Sequence, residues 1–167
     1  CYVFLALILA PALTKIGLHP LSVHLFIMYW GMASYITPPV ALSAFAGAGI
    51  AGADSMKTGF KAMQIGFVTY FIPFFFVLNP SIILHGSLYE IVISVSLVSI
   101  AVVIISYALE GYFPFLGALH KWMQVILFFG GLSLGFSWIG LRFAGLITII
   151  SVLISGFVVK QQKGVIS

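Results

Sequence analysis

The spacing of its charges is what most constrains this chain. Residues 16–53, 62–89, 91–109, 122–141 and 143–159 contain no Asp, Glu, Lys or Arg. A helix needs about 20 consecutive apolar residues to cross a hydrocarbon core of roughly 30 Å, so each gap approaches or exceeds one crossing. Only 6% of the residues are charged and 62% are hydrophobic, with a mean hydropathy of +1.24, whereas an average soluble chain carries about 25% charged residues. Lipid is therefore the solvent for most of the surface, and a soluble domain is excluded. Open strand edges cannot be satisfied in lipid and no barrel alternation competes, so the sequence predicts an all-α polytopic membrane protein.

The formal net charge of +4 comes from basic residues scattered singly between apolar runs. They read as topology markers rather than as a nucleic-acid surface. The single cysteine, Cys1, excludes an internal disulfide framework and a cysteine-based metal cluster. The chain opens directly in CYVFLALILAPAL with no basic residues ahead of it, a poor match to a secretory signal peptide. A fragment of a longer membrane protein is the expectation.

Six hydrophobic segments follow. Residues 1–14 are too short to cross and end at Thr14-Lys15-Ile16-Gly17-Leu18-His19-Pro20, which suits one arm of a re-entrant hairpin. Residues 21–53 would make a straight helix about 50 Å long, far more than a bilayer needs. Thr37-Pro38-Pro39 interrupts that segment. The third segment, 60–79, carries Pro73 and ends at Asn79-Pro80; the others are 88–109, 122–137 and 141–159, before a polar tail from Lys160 to Ser167. Lys57, Lys61, Lys121, Lys160 and Lys163 fall on one side and Lys15 and Arg142 on the other, which places the C-terminus in the cytoplasm. A half-membrane hairpin at the short fifth segment would invert the tail.

Neither proline at the interruption has a backbone N–H, so the carbonyls of Ser34 and Tyr35 are expected to lose their helical partners at membrane depth. Pro38 also pushes Thr37 out of the helical region, which suits Thr37 as N-cap and Pro38 as the first residue of a new half-helix. The half-helix ending near Ser34 would then offer carbonyl oxygens to a cation. The one starting at Pro38 would offer N–H groups at Val40 and Ala41 to an anion. The competing reading is a proline kink in a packed helix.

Other features carry less. The small residues of 41–53 and the pair Gly131 and Gly135 read as close helix packing. His19, His85 and His120 lie in turns or loops, and His24 reads as interfacial rather than as a proton relay. Asp54, Glu90 and Glu110 read as interfacial charges at segment ends. Tyr29-Trp30 and Phe74-Phe75-Phe76 read as bilayer-facing bulk and interfacial belts. No phosphate loop, zinc pattern or nucleophile triad is present, so the chain is not read as an enzyme and no cofactor is expected.

Residues 17–80 resemble the C-terminal part of the large membrane subunit of TRAP transporters, with the TAXI-type fused permeases most similar. The resemblance rests on the run through Tyr29 and Trp30 into Thr37-Pro38-Pro39-Val40-Ala41-Leu42, on Gly49-Ile50-Ala51-Gly52-Ala53-Asp54, on the Met56-Lys57-Thr58-Gly59 turn and on the ending Phe76-Val77-Leu78-Asn79-Pro80. It implies part of the second inverted repeat of an elevator-type secondary symporter, in which 1–80 belongs to the transport domain and 81–167 adds C-terminal transmembrane helices. It further implies uptake of organic anions, carboxylates first among them, delivered by a periplasmic solute-binding protein and driven by an ion gradient across the cytoplasmic (inner) membrane. The rest of the permease would be a partner. By the same resemblance, carbonyl groups at Ser34, Thr37 and Val40 fall at a sodium site, and Pro39, Val40, Ala41 and Ser43 at the substrate. Ser34 stands where related dicarboxylate permeases have glycine. No acidic side chain lies between Ile16 and Ala53, so neutral oxygens favour Na+ over a divalent ion, and H+ coupling would need a distant titratable group. The alternative is a structural membrane subunit that binds no solute.

Overall fold

The computed structural model describes residues 2–114 and 116–164, with side chains up to Phe157. Cys1 and the last three residues of the expected polar tail lie outside the described residues, as do the side chains of Lys160 and Lys163. The chain divides into two compact units, 1–83 and 84–167.

The first unit opens with α1 (Tyr2–Lys15) and α2 (Pro20–Ala33). Gly17, at φ +96°, turns the chain out of α1. Its N–H bonds to the Thr14 carbonyl and that of Leu18 to the Leu13 carbonyl, a Schellman stop. Pro20 then opens α2 at a position where no N–H is needed. Ala10 of α1 packs against Val23 and Ile27 of α2. Each helix has 14 residues, about 21 Å at 1.5 Å per residue.

Next come α3 (Leu42–Ala51) and α4 (Ser55–Ile65). Gly52, at φ +64°, ends α3, and the Asp54 carboxylate accepts from the Lys57 N–H at 2.8 Å to start α4. Asp54 is thus a helix cap. The helix expected over 60–79 is two helices: α4, a 3-10 turn over Phe67–Tyr70, and α5 (Ile72–Leu78), bent by 66°. Gly66 and Pro73 account for the bend, the first as the cap of α4 and the second by lacking a donor. A second 3-10 turn, Pro80–Ile83, follows.

The aromatic runs read as bilayer-facing bulk also pack α2 on α5, while Trp30 and Phe74 keep an exposed side. Phe26 meets Phe74 at 5.3 Å between ring centroids, Tyr29 meets Phe76 at 5.8 Å and Trp30 meets Phe74 at 6.2 Å. Offset and edge contacts of this kind add to burial. Periodicity could not show this pairing, because the helices are joined only through tertiary structure.

The second unit is built on α6 (Leu88–Glu110), α7 (Lys121–Leu134) and α8 (Ile139–Gly164). Ser87 and Glu90 form a capping box at the start of α6, so Glu90 is a cap as well as an interfacial charge. Between α6 and α7 a two-residue antiparallel ladder pairs Tyr112 with Ala118 and Phe113 with Gly117, an addition to the all-helical expectation. The core joins Ala101, Ile104 and Ala108 to Leu127 and Leu134, and to Ile149 and Val152.

Adjacent glycines set the spacing of this unit. A Cβ on Gly131 would lie 2.7 Å from Ile105 Cγ1 of α6, and one on Gly130 would lie 3.2 Å from Ile149 Cγ1 of α8. The expected pair was Gly131 and Gly135, but Gly135 caps the end of α7. α7 has 14 residues, fewer than the 122–137 expected. Gly135 caps it, and beyond the cap Arg142 reaches back: Nε donates to the Phe136 carbonyl at 2.7 Å and Nη2 to the Ser94 hydroxyl at 3.3 Å. By length and apolarity two helices can cross a membrane, Leu88–Glu110 and the Ile139–Phe157 part of α8, or three if the bent pair α4–α5 counts as one span. α8 also runs on as helix to Gly164, where a polar tail was expected from Lys160.

Candidate functional site

The segment between Ala33 and Leu42 is the site to which the sequence points. The Thr37-Pro38-Pro39 run withholds two donors in succession, and the chain turns there through a cis Pro38–Pro39 peptide and then Ala41 at φ 34°, ψ 42°. Ala41 is the N-cap of α3, which begins four residues later than the expected start at Pro38. Thr37 is not the cap; its hydroxyl turns back to the Ala33 carbonyl at 2.6 Å.

The expected orphan carbonyls are not orphaned. Ser34 O accepts from Ala41 N at 3.1 Å and Thr37 N at 3.3 Å, and Tyr35 O accepts from Ser43 N at 3.1 Å. The prolines do remove the local partners, but seven and eight residues on, the chain returns to supply others. Thr37 O also accepts from Ala41 N, at 3.0 Å. The carbonyls of Ser34 and Thr37 therefore converge on one amide; Ser34 O accepts two bonds in all, and Thr37 O keeps a second lone pair. The Ala41 N–H, expected to face an anion, is used inside the turn, and Ala41 is fully buried. Val40 is half-exposed, and its amide makes no hydrogen bond among the described residues. Pro39 and Ser43 are exposed beside it. The Ser34 hydroxyl folds back onto the Gly31 carbonyl at 2.6 Å and leaves the turn open.

Residues not singled out by the sequence complete the surroundings. The Thr37 hydroxyl also bonds the Tyr70 hydroxyl at 2.5 Å. A Cβ on Gly59 would lie 3.0 Å from Pro38 Cγ and one on Gly66 would lie 2.7 Å from Ile36 Cδ1, so α4 and the turn after it approach the segment closely. Gly59, between Lys57 and Lys61, and Gly66, before Phe67, gave no sign of this approach, and Tyr70 gave none of its bond. His24 lies away from the turn and its Nδ1 pairs with the Tyr2 hydroxyl at 2.9 Å.

A helical chain with membrane-spanning segments and an irregular turn rich in backbone oxygens has the character of a transporter's membrane component. The family model described as tripartite ATP-independent periplasmic transporter, DctM component, matches residues 1–91. The chain belongs to that family, and is a permease component rather than an enzyme. The match covers the first unit and the start of α6. No curated protein and no solved structure matches the chain.

Proposed function

We propose that the chain is the C-terminal part of a TAXI-type TRAP permease that takes up organic anions, carboxylates in the first instance, driven by an ion gradient. α2 and α3 form the two halves of one broken membrane helix in the second inverted repeat of an elevator-type transport domain, residues 1–80, and 81–167 add transmembrane helices. A periplasmic solute-binding protein delivers the substrate, and the remaining permease segments complete the site. The observation that carries this reading is the convergence of the Ser34 and Thr37 carbonyls in a turn that belongs to neither helix, within the part of the chain that matches the family. Irregular backbone at membrane depth is tolerated where it lines a site or is buried in protein.

In this reading Ser34, Thr37 and Val40 supply carbonyl oxygens to Na+, the Ser34 carbonyl by giving up one of the two amides it now accepts from. Pro39, Val40 and Ser43 present the exposed edge to the substrate anion, with Ala41 as the corner that sets their direction. Labelling of a cysteine placed at Ser43 tests it in the intact transporter: an organic-anion substrate together with Na+ is expected to slow modification severalfold. Unchanged labelling with every tested anion and cation would favour the structural-subunit reading, to which the bonded Ser34 and Tyr35 carbonyls lend some support.

By the excess of Lys on its side of the membrane, we infer a cytoplasmic C-terminus. Within the second unit, Leu116 and Met123 border Gly156 of α8 while Arg142 borders Ser94 near the start of α6. α8 therefore returns towards the end that carries Lys121, and the short α7 does not invert the tail. A periplasm-dependent reporter fused after Ser167 is expected to be inactive; activity there would overturn the orientation.

A further inference from the structure

We propose that Tyr70 is a positioning residue for the cation at the 34–41 turn, an inference that rests on the site reading above. The argument is one of proton direction. Thr37 Oγ1 lies 2.6 Å from the Ala33 carbonyl and 2.5 Å from the Tyr70 hydroxyl. A carbonyl only accepts, so the single Thr37 proton goes to Ala33, and Tyr70 is the donor in the second bond. Both hydroxyl protons are then committed within the cluster. What Thr37 has left is one lone pair, and Tyr70 keeps lone pairs alone. An oxygen cluster ordered in this way favours a cation and disfavours an anion.

The Tyr70 ring is held independently of its hydroxyl. Its centroid lies 5.7 Å from Trp30 and 5.9 Å from Phe67, and the neighbouring Gly66 lets the turn approach Ile36. The hydroxyl thus joins two irregular stretches, the 34–41 turn and the 3-10 turn over Phe67–Tyr70, through one bond. Without it Thr37 loses its donor, and a side chain of the turn that carries the converged carbonyls is no longer fixed by two partners.

The test uses the intact transporter and reads the cation concentration for half-maximal uptake separately from the substrate KM at saturating cation. Tyr70→Phe is expected to raise the cation constant about fivefold, the range of one lost hydrogen bond, with a change of less than about twofold in substrate KM and maximal rate. Thr37→Ser, which keeps both bonds, should leave the constant near the parent value. In Thr37→Val, Tyr70→Phe should add nothing further. An unchanged cation constant in Tyr70→Phe, or an equal effect in the Thr37→Val background, overturns the proposal. If Tyr70→Phe does not insert, Thr37→Ser against Thr37→Val decides alone: a raised constant in Val only supports it, and two unchanged constants overturn it. If replacing Pro38 and Pro39 leaves cation dependence intact, the site reading itself fails; if that replacement removes it while Tyr70→Phe does not alter it, only this inference fails.

Discussion

Replacing Pro38 and Pro39 together with alanine is expected to abolish cation-coupled uptake by the intact transporter while leaving the protein inserted. Two alanines supply N–H groups to the Ser34 and Tyr35 carbonyls four residues back. Those carbonyls now take Ala41 and Ser43 as donors, a pairing that requires the chain to double back. Local i to i−4 bonds close far shorter loops, so the helical alternative wins once the donors exist. The turn straightens, the convergence of the Ser34 and Thr37 oxygens on Ala41 is lost, and Thr37 moves away from Tyr70. Uptake measured in vesicles against cation concentration checks this. Uptake with unchanged cation dependence in the double variant would show the turn to be an ordinary kink.

The second large effect concerns the helical unit beyond the family match. Gly145→Leu is expected to destabilise the second unit by about 3 kcal/mol or more, the upper range for overpacking a close-packed contact. A Cβ at Gly145 would lie 2.8 Å from the Gly130 carbonyl, which is backbone and has no rotamer to yield, and would also collide with the Ser133 hydroxyl. α7 and α8 must separate. Gly140→Leu is the matched comparison, since a Cβ there meets nothing within 4 Å, and should change stability by less than about 0.5 kcal/mol. Thermal unfolding of the two variants in the same detergent reads the difference. Equal midpoints would refute the close approach of α7 and α8.

Much of the helical layout was legible because charge gaps and caps are local signals. Asp54 and Glu90 stood at segment ends as charges, and the structure adds that they cap α4 and α6. The proline pair was legible for the same reason, since loss of a donor is a property of the residue itself. What followed from that loss was not. The sequence says that Ser34 and Tyr35 lose their partners four residues on; it does not say that Ala41 and Ser43 replace them, because that depends on a left-handed alanine that composition does not favour. Tyr70 was invisible for a related reason, its bond to Thr37 spanning 33 residues. The aromatic runs told only half, because a phenylalanine facing lipid and one facing another helix look alike in a hydropathy profile. The early end of α7 was hidden by the same uniform apolarity, and so was the reach of Arg142 back across it.

That arginine has a consequence for the bilayer itself. Ser94, which the Arg142 guanidinium touches, lies six residues inside α6, about 9 Å from the start of the helix. A cation held at that depth by neutral oxygens draws water and lipid headgroups down to meet it, since leaving it in hydrocarbon is costly. On the same side α7 has ended, so the wall of protein facing lipid is shorter there than along α6 or α8. A shorter wall favours shortened or tilted lipid beside it, so a dimple at the α7 face is the expectation, one set by the fold rather than by transport.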